Sequence, residues 1–243
     1  MKKIFIGKHF LVIILLVHCI RVQGQQNFFN VPTSDITDSA KLFFQQQLNI
    51  NSQTSANSTF TWGLGKGWEA GFNLFGFNID NQQRVLLPTD TGNSSPYAPC
   101  FLINLQKGFH LGEKFKLGIG TQSGVNLTRN IQNARVLTFD WVNFVYFPTH
   151  ALKIVTGAYY GNQFFLGSGN SAGIMAGFEL AIIEHRLHLQ ADWLYGNNSM
   201  GIVVPGVVVY LTKLLSLSFG WQFANPGSMN PQAFVFEFTF RKA

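Results

Sequence analysis

The chain has 243 residues, of which 47% are hydrophobic and only 12% charged, with 17 basic and 11 acidic side chains giving a formal charge of +6. An ordinary soluble domain carries about 25% charged residues, so this composition is poorly suited to a surface wholly in water. Most of the excess charge sits in residues 1–24 (Lys2, Lys3, Lys8, Arg21); without them 13 bases face 11 acids, and no basic run remains of the kind a nucleic-acid backbone needs.

Residues 1–24 have the order of a secretory signal peptide: Lys2 and Lys3, an apolar stretch from Phe10 to Val17, then the small-residue cleavage site Val22-Gln23-Gly24 before Gln25. The chain is therefore expected to be exported. A lipoprotein signal through Leu16-Val17-His18-Cys19 would place a bulky histidine where a small residue should precede the cysteine. Cleavage leaves Cys100 as the single cysteine, so no intramolecular disulfide is expected. Beyond the signal no apolar run reaches the length of a membrane helix: the longest, Ile202 to Leu211, is broken by Pro205 and Gly206.

Residues 25–40 are polar, with Pro32 and the Thr33-Ser34-Asp35 cluster, and are expected as a periplasmic lead-in. Residues 41–50 set Leu42, Phe44, Leu48 and Ile50 against Lys41, Phe43, Gln45, Gln47 and Asn49, the period of a strand; a helix over 34–47, capped by Thr33 or Ser34, is the rival. Strands follow at 59–65 and 68–78, joined by the turn signal Gly65-Lys66-Gly67, and then a polar loop over 80–96. Further strands are expected at 100–107, 115–127, 136–147, 152–161, 173–183, 187–195, 202–212, 215–223 and 232–240. Within 136–147 the alternation breaks between Asp140 and Asn143, which suggests a bulge or a thick aromatic band.

The last strand is the most telling. Side chains alternate across a strand, so Phe234, Phe236, Phe238 and Phe240 form one wholly aromatic face and Val235, Glu237 and Thr239 the other. In water four phenylalanines in a row are an aggregation hazard; in lipid they are a natural outer face, and only a closed barrel leaves no unpaired sheet edge there. Twelve strands is an even count, and the connections after odd strands are mostly longer than those after even ones. The expected fold is thus all-β: an antiparallel up-and-down transmembrane β-barrel over 41–243, both ends on the short-turn side. A secreted β-sandwich would explain export and strands but not the aromatic outer faces. The signal peptide, the strand rhythm and the Phe-rich end, closing on Phe240 with Arg241-Lys242-Ala243 after it, resemble the small outer-membrane β-barrel proteins of Gram-negative bacteria, among them barrels presumed to transport solutes. The resemblance covers residues 41–240. It implies a place in the outer membrane, contact with its lipid, and passage through periplasmic chaperones and the barrel-assembly machinery during biogenesis, but carries no site residue with it.

Candidate site residues are therefore the polar ones expected to line the lumen: Glu69, Asn104, Lys116, Gln122, Asp140, Glu179, His188, Gln190, Asp192, Gln222 and Glu237. Charges there must be paired or wet. With many inward glycines they suggest a narrow hydrated conduit for small polar solutes, or else a salt-bridged plug that holds the barrel shut. A non-conducting barrel whose outer loops bind a ligand is a further reading. Catalytic, metal and cofactor signals are weak. Gly169-Asn170-Ser171-Ala172-Gly173 fits the nucleophile elbow, yet a strand and not a helix should follow it. His185 and His188 fall on opposite strand faces, so they share no metal. No cofactor is expected, and a lipid hydrolase using Ser171 is the least favoured alternative. Four glycosylation sequons, such as Asn93-Ser94-Ser95, read in a bacterial protein as polar loop tips or strand ends.

Overall fold

The computed structural model describes residues 27–52, 54–79, 85–86, 96–228 and 230–241; the expected signal peptide lies outside them. Its strands are β1 (Leu42–Ile50), β2 (Thr54–Gly65), β3 (Trp68–Ile79), β4 (Val85–Leu86), β5 (Cys100–His110), β6 (Phe115–Asn126), β7 (Val136–Thr149), β8 (Leu152–Gly161), β9 (Ala172–Ile183), β10 (Leu187–Leu194), β11 (Ile202–Tyr210), β12 (Leu215–Ala224) and β13 (Ala233–Arg241). Each barrel strand pairs antiparallel with its neighbours in sequence, β3 passing directly to β5, while β4 adds only the pairs Asn78↔Leu86 and Ile79↔Val85. Strand β1 pairs with β2 on one side and with β13 on the other, from Phe43↔Arg241 to Ile50↔Phe234. That pairing closes a twelve-stranded barrel, so no wall edge is left unbonded.

The outer surface is what lipid requires. Phe44 packs tilted on Phe60 (centroids 4.6 Å apart), Phe60 stacks on Phe72 (4.8 Å) and Phe72 on Phe101 (5.7 Å), a ladder across four neighbouring strands that Phe238 extends on β13. Elsewhere Trp62, Leu64, Ile103, Ile119, Ile174 and Trp221 also point out. Gln46, a polar residue on that face, is satisfied within the wall: it accepts from Ser58 Oγ at 2.5 Å and donates to the Asn57 carbonyl at 3.0 Å. This is the exterior of a transmembrane barrel.

Connections after odd-numbered wall strands are mostly long (51–53, 80–99, 127–135, 162–171, 195–201, 225–232) and those after even ones short (66–67, 111–114, 150–151, 184–186, 211–214), as expected from the sequence. The tightest, Lys66-Gly67, has φ of +52° and +76°, the mirror-image turn that a twisted hairpin favours. The rival helix over 34–47 is absent, since β1 occupies 42–50. Strand β2 starts at Thr54 rather than 59, and the 162–172 connection holds one turn of helix, α1 (Gln163–Leu166), capped by Asn162. Strand β7 keeps an unbroken register with β6 from Val136 to Tyr146, so the bulge expected at 140–143 does not occur; the irregularity falls between Tyr146 and Thr149 against β8.

The main correction concerns residues 25–40, expected as a periplasmic lead-in. From Asn27 onward they are folded into the barrel, with Phe28, Phe29, Val31, Thr33, Ser34 and Asp35 buried. A stretch rich in Thr, Ser and Asp can be buried here because the lumen wall supplies its partners.

Candidate functional site

The N-terminal segment enters at the short-turn end. There Ser39 bridges Gly63, and the Ala40 N–H donates to the Gly63 carbonyl at 2.9 Å. Toward the long-loop end it folds back on itself: the Phe28 N–H donates to the Val31 carbonyl at 3.0 Å, and Asn27 bridges Pro32. At this turn Asp192 Oδ2 accepts two backbone N–H groups, from Asn30 at 2.5 Å and Val31 at 2.8 Å. Other wall residues hold the rest of the segment: Gln106 donates to the Thr33 carbonyl, Asn143 to the Pro32 carbonyl, and Glu69 accepts from the Thr37 N–H at 2.8 Å. Ser34 is hydrogen-bonded to Asn143.

Inward glycines are the sockets for this plug. A Cβ on Gly177 would lie 2.4 Å from the Phe28 ring, one on Gly206 or Gly220 2.6 or 2.9 Å from the tip of Phe29, and one on Gly108 2.6 Å from Ile36. Gly118 similarly faces Ser34, and Gly120 lies under the Trp141 ring. The sequence suggested that inward glycines keep a conduit open; in the fold, the space they leave is filled.

A charge cluster fixes the middle of the plug. Asp35 Oδ1 is 2.6 Å from Lys116 Nζ and its Oδ2 3.3 Å from Lys153 Nζ, which in turn lies 3.1 Å from Glu179 Oε2. Glu179 Oε1 also accepts from Tyr210 Oη at 2.6 Å and meets His188 Nδ1 at 2.7 Å. Between them the wall's two lysines and Glu179 leave one positive charge over, which Asp35 of the plug balances. Buried charges are tolerated only when so compensated.

Beside the plug, against β1, β2, β3, β5 and β6, is a cavity of about 110 Å³. Its wall is dominated by amides, among them Gln45, Gln47, Asn73, Asn104 and Gln122, with Thr61 and one carboxylate, Glu69. Phe29, Asn30 and Pro32 of the plug border it, and Phe75, Phe139, Trp141 and Met200 supply its apolar side. Two buried donors in this wall, Gln45 Nε2 and Trp141 Nε1, have no protein partner. Toward the long-loop end the lumen is apolar: Phe139, Tyr159, Met175, Leu194 and Met200 pack with Phe165 and Leu166, which α1 tucks inward.

The candidate residues thus divide. Glu69, Asn104 and Gln122 line the cavity; Lys116, Glu179, His188 and Asp192 hold or surround the plug. Gln190 is buried on the inward face of β10, Gln222 bonds the Pro231 carbonyl, and Glu237 accepts from Ser218 on the neighbouring strand. Asp140 is the exception. It is exposed on the outer face of β7, because Leu137, Phe139, Trp141 and Val145 take the inward positions. Ser171 precedes strand β9 without the strand-to-helix turn a nucleophile elbow needs, and His185 is a surface turn residue. Among the described residues no group of three or more His, Cys, Asp or Glu side chains is placed to hold a metal. Sequence reasoning missed the plug; the paired Phe28-Phe29 in an otherwise polar stretch was its one signal.

No protein-family model matches the chain, and no curated protein matches it. Among solved structures it is similar to the outer membrane phospholipase A from Escherichia coli (11% identity, 92% of this chain and 95% of that one covered, TM-score 0.45). It is also similar to the Ralstonia pickettii toluene transporter TbuX (8%, 92% and 97%, TM-score 0.46) and to Pseudomonas putida OprB (9%, 99% and 99%, TM-score 0.36).

Proposed function

We propose that this chain is an outer-membrane barrel that passes small uncharged polar solutes, with residues 27–38 as a plug that must yield for passage. The observation that carries the reading is the amide-lined cavity beside the plug, deep in a lumen whose long-loop end is otherwise packed with apolar side chains. A folding core has no use for so many amides around a space; a path for polar solutes does, because each can replace water's hydrogen bonds. The plug is held by hydrogen bonds and ion pairs rather than covalently, so it can be displaced without breaking the wall.

Proteoliposome swelling tests this. Wild-type protein should admit small neutral solutes slowly, and Asp192→Leu, which removes the acceptor for two backbone N–H groups of the plug, should admit them faster. A specific observation favours one other reading: the lumen is filled, which also suits a barrel that conducts nothing. If neither wild type nor Asp192→Leu admits any solute while both migrate as folded barrels, passage is wrong and the closed barrel stands.

A further inference from the structure

We infer that the cavity beside the plug is a binding site for an uncharged, polyhydroxylated solute of polyol or monosaccharide size, an inference that rests on the passage reading above and names its cargo. Size comes first: a cavity of about 110 Å³ has room for several waters, and so for one small solute that displaces them. Charge comes next. Among the described residues that line it there is no basic side chain, and the single acid, Glu69, already accepts from the Thr37 N–H. An anion would find no counter-charge, and desolvating one without a partner is costly.

Hydrogen-bonding capacity narrows the class further. Asn104 Nδ2 donates to Asn73 Oδ1 at 3.0 Å, and Asn73 Nδ2 donates to Gln122 Oε1 at 2.5 Å, a relay that fixes which way these amides face. Each amide carries both a donor and an acceptor, as a hydroxyl does, so a wall of amides matches a ligand with many hydroxyls better than one with carbonyls or methyls alone. Two donors in the same wall, Gln45 Nε2 and Trp141 Nε1, belong to side chains only 5% and 8% exposed and lack a protein partner. Neither N–H is exposed to the open space, so the hydrogen bonds to a ligand come from the other lining amides. Phe75, Phe139 and Trp141 border the other side. A sugar or polyol has a C–H face that packs on such rings while its hydroxyls turn to the amides.

Titration calorimetry of the full-length mature barrel in detergent with xylitol, glucose, gluconate and toluene tests the assignment. Xylitol or glucose should bind saturably, gluconate and toluene at least about tenfold more weakly. Asn104→Leu and Gln122→Leu, which keep the side-chain bulk and remove an amide that lines the cavity, should each weaken polyol binding about tenfold, with heat-modifiable migration confirming that both fold. Absence of saturable polyol binding to folded wild type, binding that both variants leave unchanged, or a preference for gluconate or toluene would overturn it. Swelling in these solutes without saturable binding would sink this inference and leave passage standing; saturable binding without entry would sink passage and leave the site.

Discussion

Phe28 and Asp35 show how much of the lumen was shaped for one particular segment. The Phe28 ring sits where a Cβ on Gly177 would be, and 4.8 Å from its centroid is Lys153 Nζ, itself paired with Asp35. Removing a fully buried phenylalanine costs about 3–5 kcal/mol in a packed core. Phe28→Ala should therefore leave a folded barrel whose N-terminal segment is cut by added protease far faster than in wild type; equal protection would show that the socket does not seat the plug. Asp35 gives the pH dependence. Burial pushes its carboxyl up, but Lys153 and Lys116 outweigh that and hold it below the ordinary 3.8. A carboxyl depressed in the folded state stabilises it above the unfolded value, and the contribution is lost as pH falls through the folded value. The plug should thus stay seated down to the ordinary carboxylate range and loosen below it, while Glu179, paired with the same Lys153, and His188 beside Glu179 remain on the wall. Bilayer conductance should rise on acidification below 3.8, and Asp35→Asn should show the raised level already at neutral pH. A flat pH profile in wild type would refute the ion-pair latch.

Elements tell which parts of this architecture a sequence can reveal. The wall was legible because lipid imposes one rule on every strand: Phe44, Phe60, Phe72 and Phe101 must all be apolar whatever their neighbours do. No such rule governs the lumen. On β7 the inward residues Leu137, Phe139, Trp141 and Val145 are as apolar as the outward Val142 and Phe144, since they pack under α1 and against the plug, and with both faces greasy the parity that would have turned Asp140 outward could not be read. The plug was hidden for another reason: it has no period, and its partners are far away, Asn30 meeting Asp192 across 162 residues. The cavity amides could be read as inward one by one, but not that they converge beside the plug. Loop lengths, by contrast, predict the orientation. Single cysteines at exposed connections, Ser168→Cys in a long one and Lys66→Cys in a short one, made with Cys100→Ser, should be labelled by a membrane-impermeant reagent from outside intact cells for Ser168→Cys only. Labelling of Lys66→Cys alone would reverse the topology.

At the scale of the whole molecule, closure and filling are separable. The wall is complete without residues 27–38, since β1 begins at Leu42 and pairs with both β2 and β13. What those residues contribute is inside: burial of Phe28 and Phe29, backbone donors for Asp192, and the carboxylate that balances Lys116 and Lys153. Without them the glycine sockets become open space and the unbalanced lysine charge has to be met by water. Twelve strands enclose more than the eight-stranded barrels that side chains alone fill, so the emptied space should become wet rather than collapse. Deletion of residues 27–38 behind the signal should then give a protein that still shows heat-modifiable migration, melts at lower temperature than wild type, and conducts ions in steps that wild type lacks at neutral pH. Because the inward carboxylates Glu69, Glu179, Asp192 and Glu237 would outnumber Lys116 and Lys153 in the opened lumen, those steps should favour cations over anions, and Glu69→Gln in the deleted background should reduce that preference. A deletion that folds yet stays silent would mean that the apolar cluster around Phe139 and Phe165, not the plug, is what closes the path.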